Sequence, residues 1–551
     1  MSIPLAIETL SLEEKVGQLF LLAFEGETVA DAEILLGRYL VGGVYLSQDN
    51  LTGIDQAVAL LSALQDLGAS TPHGLPIFAA CDQEGAWTVL NPQTSSGPGN
   101  LALGATQAAQ VEKMYAVIGR ELHALGISAA LAPVADVNTN PRNPIIGTRS
   151  FGEDPERVAL AVAAAVRGLH RGGVRSCLKH FPGHGDTAQD THRGLATVVR
   201  DRRQLDAGDL VPFRTGIAAG ADIVMTAHLF YPALDAEWPA TLSPAILTGL
   251  LREELGFDGV ILTDSFNMGS IRRAYAPSEA VVRAINAGAD MVLLAEERYG
   301  DEPVDYLAHQ VALIEAVRAA AHAGAIPEAR LNQAVGRVLR LKAAASLFGA
   351  PHPNPGEAHR IVGSAPHRAT ALESARAAVT LVRNLDGQVP LRLAAAAPLA
   401  LVSAVDPAAH AALRRMRGIG PNVSEPPTAV LWREIARRHP TTEQLTLLDA
   451  DAVAAHLPAL SAAAAVVVAT ENYPLPGFDF PTAGQRAVLE ALLATGIAPI
   501  VIGLRDPYEL ADLPGIRTYL SALGYASVCA QAAAEVLFGE RAAVGRLPVS
   551  V

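Results

Sequence analysis

Short apolar runs recur through the first 345 residues, and longer segments of helical period separate them. Two of the separating segments, 156–173 and 278–289, read as amphipathic helices with glycine at or near the end. Eight such strands alternating with helices favour a (β/α)8 barrel of the TIM type over the alternative, a doubly wound sheet of six or seven strands. The predicted strands are 18–24, 41–47, 76–83, 128–137, 176–183, 221–228, 258–265 and 290–295.

A change in composition near residue 348 predicts a second domain. Residues 348–366 contain four prolines and three glycines, which is typical of a linker. The predicted organisation is therefore a barrel of residues 1–347, a linker of residues 348–366 and a smaller α/β sandwich domain of residues 367–551. Within the last of these, a helix is expected over 367–381, with strands at 398–405, 463–471, 498–504 and 526–530. A chain of 551 residues also exceeds one ordinary core.

Composition narrows the class of protein. Half of the chain is hydrophobic and 18% is charged, which is typical of a globular enzyme. The formal net charge of −14 argues against nucleic acid or an anionic membrane as the main partner. Cys81, Cys177 and Cys529 lie far apart and form no CxxC pair, as expected in a reducing compartment. No apolar run reaches the roughly 18–20 residues of a spanning helix, and the N-terminus lacks a signal-peptide pattern. A cytoplasmic monomer or homodimer is expected.

Polar side chains cluster where the predicted strands end. In a barrel these ends converge on one face, where active sites lie. Polar residues that only mark the exit of a buried strand into water would explain one or two such positions, but not five. The residues are Asp82, Gln83 and Glu84 after the third strand, Asp136 and Asn138 after the fourth, Lys179 and His180 in the fifth, His228 after the sixth and Asp264 after the seventh.

The loop KHFPGHGDTAQDTH at 179–192 admits three interpretations. Its histidines and aspartates would supply metal ligands, but Pro182, Gly183 and Gly185 argue against the helix on which paired histidine ligands usually lie. In a proton-transfer device, Asp190 would hydrogen-bond one ring nitrogen of His192 and leave the other to pass a proton. The third interpretation is a surface loop in which the Asp–His pair has only a structural role. The candidate ligands are His180, His184, Asp186, Asp190 and His192.

The complete string resembles the K-H-[FI]-P-G-x-G-x-x-x-x-D-[ST]-H signature of family 3 glycoside hydrolases, specifically the NagZ-type β-N-acetylglucosaminidases. Further segments resemble the family's landmarks in the same order, so the resemblance covers the whole predicted barrel. These segments are DQEG at 82–85, NPRNPIIGTRSFGEDPE at 140–156, MTAHLFYPALDAEWPATLS at 225–243 and GFDGVILTDSFNMGSI at 256–271.

The resemblance implies catalytic roles for three residues. Asp264 occupies the position of the family's catalytic nucleophile. The nucleophile forms a glycosyl ester with the sugar, and water then cleaves this ester with net retention of configuration. His192 is implied as the general acid/base and Asp190 as its partner, in place of the second carboxylic acid that most glycosidases use. A helix-capping aspartate is the alternative for Asp264. No metal or cofactor is expected.

The resemblance also implies a subsite for the non-reducing sugar. Asp82 would accept hydrogen bonds from sugar hydroxyls, while Arg149 and Lys179 donate and steady nearby carboxylates. Plain surface charges are the alternative for these two cations. The residues implied in this subsite are Asp82, Arg149, Lys179, His180 and Met268. Supporting and structural roles stay open for His184, Asp186 and His228, and Glu84 is expected to organise the loop or to contact the aglycone.

One departure affects specificity. The family's DQEG is commonly followed by Gly and Arg, whereas here Ala86 and Trp87 follow, which leaves the aglycone and N-acyl contacts open. The predicted activity is that of a retaining exo-β-N-acetylglucosaminidase on a GlcNAc-containing glycoside, in peptidoglycan recycling or on chitooligosaccharides. The alternatives are a phosphorylase on the same scaffold, a relaxed β-glucosidase and a non-catalytic sugar-binding relative. The second domain need not supply an acid/base, so Glu471 is expected to be structural or at the rim.

Overall fold

The computed structural model describes residues 6–86, 89–90, 92–189, 191, 194–295, 305–406, 425–471 and 482–551. Within these ranges all eight predicted strands of the first half occur, each inside its predicted range. The strands of this half are β1 Phe20–Ala23, β2 Gly43–Tyr45, β3 Phe78–Cys81, β4 Ala129–Ala130, β5 Cys177–Phe181, β6 Ala196–Thr197, β7 Ile223–Thr226, β8 Leu229–Phe230, β9 Val260–Leu262 and β10 Val292–Leu294. The short β6 and β8 pair with each other.

Helices separate the strands. They are α1 Leu12–Gly17, α2 Val29–Glu33, α3 Ile54–Ala69, α4 Asn100–Gly104, α5 Ala108–Leu125, α6 Pro155–Gly172, α7 Arg202–Ala207, α8 Leu210–Ala218, α9 Gly269–Arg272, α10 Pro277–Ala287, α11 Tyr306–His322 and α12 Glu328–Ala344, with a π-helical segment at Ala245–Glu254. Local chemistry sets their ends. In α6 the Asp154 side chain accepts from two backbone amides, Pro155 opens the helix, and Gly173 ends it at φ +98°.

Apart from the β6–β8 pair, the strands of the first half form two parallel sheets. One has the order β10-β1-β2-β3-β4 and the other β5-β7-β9. Isolated parallel bridges join Ala129 to Arg175 and Val134 to Lys179, between β4 and β5, and Leu262 to Met291, between β9 and β10. The α/β class is thus confirmed, and closure of the strands into a barrel stays a prediction that these bridges favour.

Alternate strand residues pack into two separate apolar clusters. Leu21, Phe78 and Leu293 belong to an inner cluster, while their neighbours Leu22 and Ala79 belong to the outer cluster that faces the helices. This follows from the two-residue period of a strand. Val338 and Leu341 of α12 also contact the inner cluster.

The second half is built on one further sheet. Its order is β11-β16-β15-β14-β12-β13, parallel except for the pairing of β11 with β16. The strands are β11 Thr380–Asn384, β12 Leu399–Ser403, β13 Thr442–Thr446, β14 Ala465–Thr470, β15 Ile500–Gly503 and β16 Thr518–Ser521. The helices are α13 Pro355–Ile361, α14 Ala365–Ala378, α15 Pro427–Arg438, α16 Ala450–Ala462, α17 Thr482–Ala494, α18 Glu509–Asp512 and α19 Ser527–Leu537.

Helices cover both faces of this sheet. Leu401 and Ile502 pack with residues of α15 and α19, whereas Val402 and Val501 pack with residues of α16 and α17. Layers of helix, sheet and helix therefore form this part of the chain. The predicted strand at 526–530 is wrong, because that alanine-rich segment begins α19 and the strand is β16 instead.

The segment predicted to be a linker contains α13 and packs against the first half. Ala358 and Val362 belong to the outer cluster. The buried Glu121 carboxylate of α5 accepts from Gly363 N at 3.0 Å and hydrogen-bonds His367 Nδ1 at 2.9 Å. The segment that the sequence analysis predicted to be a linker is thus held against the first half by apolar packing and hydrogen bonds.

A C-terminal tail, residues 545–550, also contacts the first half. Glu153 N donates to Pro548 O at 3.1 Å, and the Arg157 guanidinium donates to Leu547 O at 3.2 Å. Gly152 leaves room for this contact, because a Cβ there would lie 2.5 Å from Pro548 O. Within the described ranges, no helix combines the length and apolar character that a membrane span requires.

Candidate active site

The predicted site residues follow the carboxyl ends of several strands. Asp82 and Glu84 follow β3, Lys179 and His180 lie in β5, and Asp264 follows β9. Parallel strands that run side by side bring such positions to one face of the fold. β5 and β9 flank β7 in one parallel sheet, so Lys179 and Asp264 lie toward the same end of that sheet.

Lys179 is the centre of a buried ion cluster. Its ammonium contacts Asp82 Oδ1 at 2.5 Å and Glu84 Oε1 at 2.6 Å. Burial opposes the charge, but the two carboxylates outweigh it and hold the pKa of Lys179 above its ordinary value. The Tyr45 hydroxyl donates to Asp82 Oδ2 at 2.8 Å. Asp82 is thereby fixed by two donors, while 24% of its side chain is exposed to solvent.

Glu84 links Lys179 to Arg149. The Arg149 guanidinium donates from Nε and Nη2 to the two Glu84 oxygens, each at 2.9 Å. Burial would raise the pKa of Glu84, but the charges of Arg149 and Lys179 hold it well below its ordinary value. Glu84, whose role the sequence left open, is therefore the common anion of two predicted sugar contacts. Its position two residues after Asp82 was the available signal.

Asp136 organises the start of the 179–192 loop. This fully buried carboxylate hydrogen-bonds His180 Nδ1 at 2.8 Å and accepts from the backbone amides of His180 at 3.1 Å and His184 at 2.7 Å. Burial opposes its charge, yet His180 and these hydrogen bonds keep the pKa of Asp136 below its ordinary value. The sequence placed Asp136 at a strand end but did not assign it this function.

The middle of the loop is fixed by hydrogen bonds to hydroxyls and an ion pair. The His184 ring lies between Thr187 Oγ1 at 2.9 Å from Nδ1 and Thr191 Oγ1 at 3.0 Å from Nε2. Arg200 pairs with Asp186 at 3.1 Å and with the buried Asp209 at 2.9 Å. His184 and Asp186 therefore hold the loop in place. The predicted dyad of Asp190 and His192 lies outside the described residues, and so does Trp87.

Asp264 is half-buried, and its Oδ1 accepts from Ser265 N at 2.8 Å. The neighbouring Ser265 carbonyl is bonded to His228 Nε2 at 2.9 Å, and His228 Nδ1 contacts Thr241 Oγ1 at 2.8 Å. His228 thus supports the backbone beside Asp264. Met268, predicted to contact the sugar, is 2% exposed.

The second half of the chain reaches this face. A small cavity is lined by Glu84 and Arg149 from the first half and by Arg505 and Tyr525 from the second. Tyr525 also packs against Ala86, directly after the DQEG segment. Glu471, at the end of β14, is 1% exposed, and burial raises its pKa to about 8 while Arg505 opposes the shift.

Among the residues whose structure is described, no group of three histidine, cysteine or carboxylate side chains would hold a metal ion. The ring nitrogens of His184 are instead bonded to threonine hydroxyls. The chemistry available at this face is that of carboxylates, a buried ammonium, a guanidinium and imidazoles.

Comparison with known proteins identifies the class. The profile described as Glycosyl hydrolase family 3 N terminal domain matches residues 11–341. A beta-N-acetylglucosaminidase/beta-glucosidase of Cellulomonas fimi is 30% identical over 575 residues, covering 98% of this chain and 93% of that one. Beta-hexosaminidase A of Pseudoalteromonas piscicida is 36% identical over 380 residues, covering 65% of this chain and 62% of that one.

A solved structure agrees over nearly the whole length. The glycoside hydrolase family 3 beta-N-acetylglucosaminidase of Paenibacillus sp. str. FPU-7 superposes with a TM-score of 0.85 at 33% identity, covering 98% of this chain and 99% of that one. The fold and the matched region are those of a glycoside hydrolase. The chain belongs to glycoside hydrolase family 3, as the sequence motifs predicted.

Proposed function

We propose that the chain is a retaining exo-β-N-acetylglucosaminidase that hydrolyses terminal β-linked GlcNAc. The observation that carries this proposal is the buried cluster of Lys179, Asp82, Glu84 and Arg149, with Asp264 following β9 in the parallel sheet that also contains β5. The names of the Cellulomonas and Paenibacillus relatives, both beta-N-acetylglucosaminidases, support GlcNAc as the glycone. We further propose that the eight predicted strands of the first half, which exclude the short β6 and β8, close into a (β/α)8 barrel.

In the first step, an oxygen of the Asp264 carboxylate attacks the anomeric carbon. The bond from that carbon to the leaving oxygen breaks, and His192 gives its proton to the leaving oxygen. A glycosyl ester on Asp264 results. The half-buried position of Asp264 suits this role, because the carboxylate is reachable while Ser265 N holds one of its oxygens.

In the second step, water replaces Asp264 at the anomeric carbon. The neutral His192 imidazole takes a proton from the water, whose oxygen bonds to the carbon as the ester bond breaks. Two displacements on opposite faces restore the starting configuration. A histidine base places no second negative charge beside Asp264, and Asp190 would hold its ring in the required tautomer.

Asp82, Lys179, His180 and Arg149 bind the non-reducing sugar in this proposal. Asp82 has a partly exposed carboxylate held from behind by Tyr45 and Lys179, so it can accept from two sugar hydroxyls. Because Glu84 holds Lys179 and Arg149 in fixed positions, their donors are already oriented before substrate binds.

A β-glucosidase activity is the second candidate. The Cellulomonas relative carries both activities in its name, and it matches 98% of this chain. Comparing kcat/KM on aryl β-N-acetylglucosaminide and aryl β-glucoside decides which glycone is preferred. A clear preference for the glucoside would overturn the proposed substrate class.

The central experiment incubates the enzyme with an aryl β-N-acetylglucosaminide, with and without added phosphate. We expect free GlcNAc as the product in both cases, released first as the β-anomer in a proton NMR time course. Release of GlcNAc 1-phosphate that depends on phosphate would show that the enzyme is a phosphorylase and not a hydrolase. Release of GlcNAc first as the α-anomer would contradict the retaining mechanism. Chitooligosaccharides and peptidoglycan fragments are the natural substrates we propose, and a cytoplasmic location remains a prediction from composition.

A further inference from the structure

We infer that His184 and Thr191 are positioning residues for the acid/base dyad, acting through the hydrogen bond between the His184 ring and the Thr191 hydroxyl. The inference rests on the proposed function of Asp190 and His192. In the sequence, Thr191 lies directly between these two residues. A side chain that fixes Thr191 therefore constrains the backbone from which both members of the dyad branch.

Thr191 is anchored from two sides. Its hydroxyl lies 3.0 Å from His184 Nε2, and its backbone carbonyl accepts from Ser270 N at 3.2 Å. The residue is 1% exposed. Ser270 belongs to α9, which begins five residues after Asp264. The carbonyl contact therefore ties the acid/base segment to the loop that follows the nucleophile.

His184 is itself fixed before it reaches Thr191. Its backbone amide donates to Asp136 Oδ1 at 2.7 Å, and its Nδ1 contacts Thr187 Oγ1 at 2.9 Å. Asp136 also holds His180, the proposed sugar contact. A continuous path of hydrogen bonds thus runs from the glycone subsite through Asp136 and His184 to Thr191.

The charge state of His184 suits a positioning role. Burial, together with the charge of His180, lowers the pKa of His184 to about 4, while Asp136 and Asp264 act in the opposite direction. The ring is therefore neutral at neutral pH, with one nitrogen donating and the other accepting. It can bond two hydroxyls at once without competing with His192 for the catalytic proton.

The test separates loss of acid catalysis from general damage by varying the leaving group. A phenyl β-N-acetylglucosaminide needs protonation of its leaving oxygen, whereas the 2,4-dinitrophenyl glycoside does not. Because kcat/KM reports the glycosylation step, we expect Thr191→Val to lower it roughly tenfold for the phenyl substrate and less than about threefold for the dinitrophenyl substrate. Thr191→Ser keeps the hydroxyl and should stay near wild type.

Two further variants complete the design. In a His192→Ala background, Thr191→Val should change kcat/KM for the phenyl substrate by less than about twofold, because its effect passes through the missing imidazole. Thr248→Val is the matched control, since it removes a hydroxyl that donates to Ala287 O at 2.8 Å in the outer helical layer. Melting temperatures establish that each variant is folded.

The outcomes are distinct. Equal losses on both substrates, or an additive loss in the His192→Ala background, would overturn the inference because Thr191 would then be structural. If Thr191→Val does not fold, Thr191→Ala is measured instead, and failure of both also makes the residue structural. If His192→Ala itself shows no dependence on the leaving group, the proposed acid/base is wrong, and the inference is overturned with it.

Discussion

Single carboxylates on the catalytic face have different functions because their surroundings differ. Asp264 is half-buried, and its Oδ1 accepts from Ser265 N. Asp82 is partly exposed but braced by Lys179 and Tyr45. Glu84 is buried between Lys179 and Arg149, and Asp136 is buried beside His180. Exposure and the neighbouring side chains thus separate the proposed nucleophile Asp264 and the proposed sugar acceptor Asp82 from the two buried carboxylates.

Replacement of the nucleophile should remove turnover without unfolding the protein. We expect Asp264→Ala to lower kcat by roughly 10⁴-fold or more, because no other group forms the glycosyl ester. The measurement is the initial rate on an aryl β-N-acetylglucosaminide, with circular dichroism to establish the fold. Asp258→Asn is the control, since Asp258 is 77% exposed and six residues away. Near-normal activity of Asp264→Ala would remove Asp264 from the mechanism.

Replacement of Glu84 should affect both binding and stability. Glu84→Gln leaves Lys179 and Arg149 with one fewer buried anion, so we expect KM to rise roughly tenfold and the free energy of unfolding to fall by about 3 kcal/mol. Because the pKa of Glu84 is held below its ordinary value, wild type gains this stability above about pH 4.5, near the ordinary pKa of a glutamate. The advantage is lost as the pH falls below that value.

Urea unfolding of wild type and Glu84→Gln at about pH 3, 5 and 7 measures the difference in their free energies of unfolding. The gap between the two proteins should shrink toward the acid end. A gap that is constant with pH would show that the buried charge of Glu84 does not contribute to stability, and an unchanged KM would separate Glu84 from the sugar site.

At the scale of elements, the sequence predicted the strands of the first half better than those of the second. The eight apolar runs of the first half are strands because they are buried on both sides, so their composition is uniform enough to recognise. β13, with the polar sequence TEQLT, and β11 lack that signal and were not predicted. The segment at 526–530 was mistaken for a strand because a short apolar run does not distinguish a strand from a buried helix.

The same limit applies to the site. The family motifs predicted a shared subsite for Lys179, Arg149 and Asp82, but nothing in a motif shows which carboxylate each cation contacts. The Asp136–His180 contact joins residues 44 positions apart, and the Glu84–Arg149 pair joins residues 65 apart. Such contacts depend on the packing of neighbouring strands, which the local pattern of residues does not contain.

One helix carries a buried cation whose effect on stability depends on pH. Lys342 of α12 is 0% exposed and donates to Gln18 Oε1 at 2.5 Å. Burial lowers its pKa to about 7, so the folded state binds fewer protons than the unfolded chain between about pH 7 and the ordinary lysine value near 10.4. Over that range the contribution of Lys342 makes the folded state more stable as pH rises.

We therefore expect Lys342→Met to be more stable than wild type near pH 7 and the difference to shrink as pH rises toward 10. Methionine fills the same volume without a charge to desolvate. Urea unfolding of the two proteins at several pH values checks this, with Lys113→Met, on the surface-facing side of α5, as the control. A difference that grows with pH would contradict the assigned shift.

At the scale of the whole molecule, contacts distributed along the chain join the two halves. Gln110 bonds Ser374 at 2.7 Å, Asn138 bonds the Tyr508 hydroxyl at 2.9 Å, and the tail meets the first half beside Gly152. Asn138 lies two residues after Asp136. The second half therefore contacts the first half close to the candidate active site and also at positions along the chain away from it.

The tail contact can be tested by one substitution. In Gly152→Ala the new methyl group would meet Pro548 O, and the φ of +147° would also disfavour alanine. We expect a lower melting temperature and the loss of a single cooperative transition. Gly220→Ala controls for backbone conformation, because its φ is +93° but its nearest neighbour lies 3.9 Å away. Equal melting curves for the two variants would show that the tail contact contributes nothing.

The polar β13 strand has a consequence for handling the protein. It lies at one end of the second sheet, where the outer row of backbone amides and carbonyls has no neighbouring strand among the described residues. Glu443 and Gln444 on this edge are exposed. A charge at such an edge discourages another molecule from adding its own strand. The polar residues of β13 made the strand difficult to predict from the sequence. We expect the same residues to oppose edge-to-edge aggregation in concentrated solutions of the enzyme.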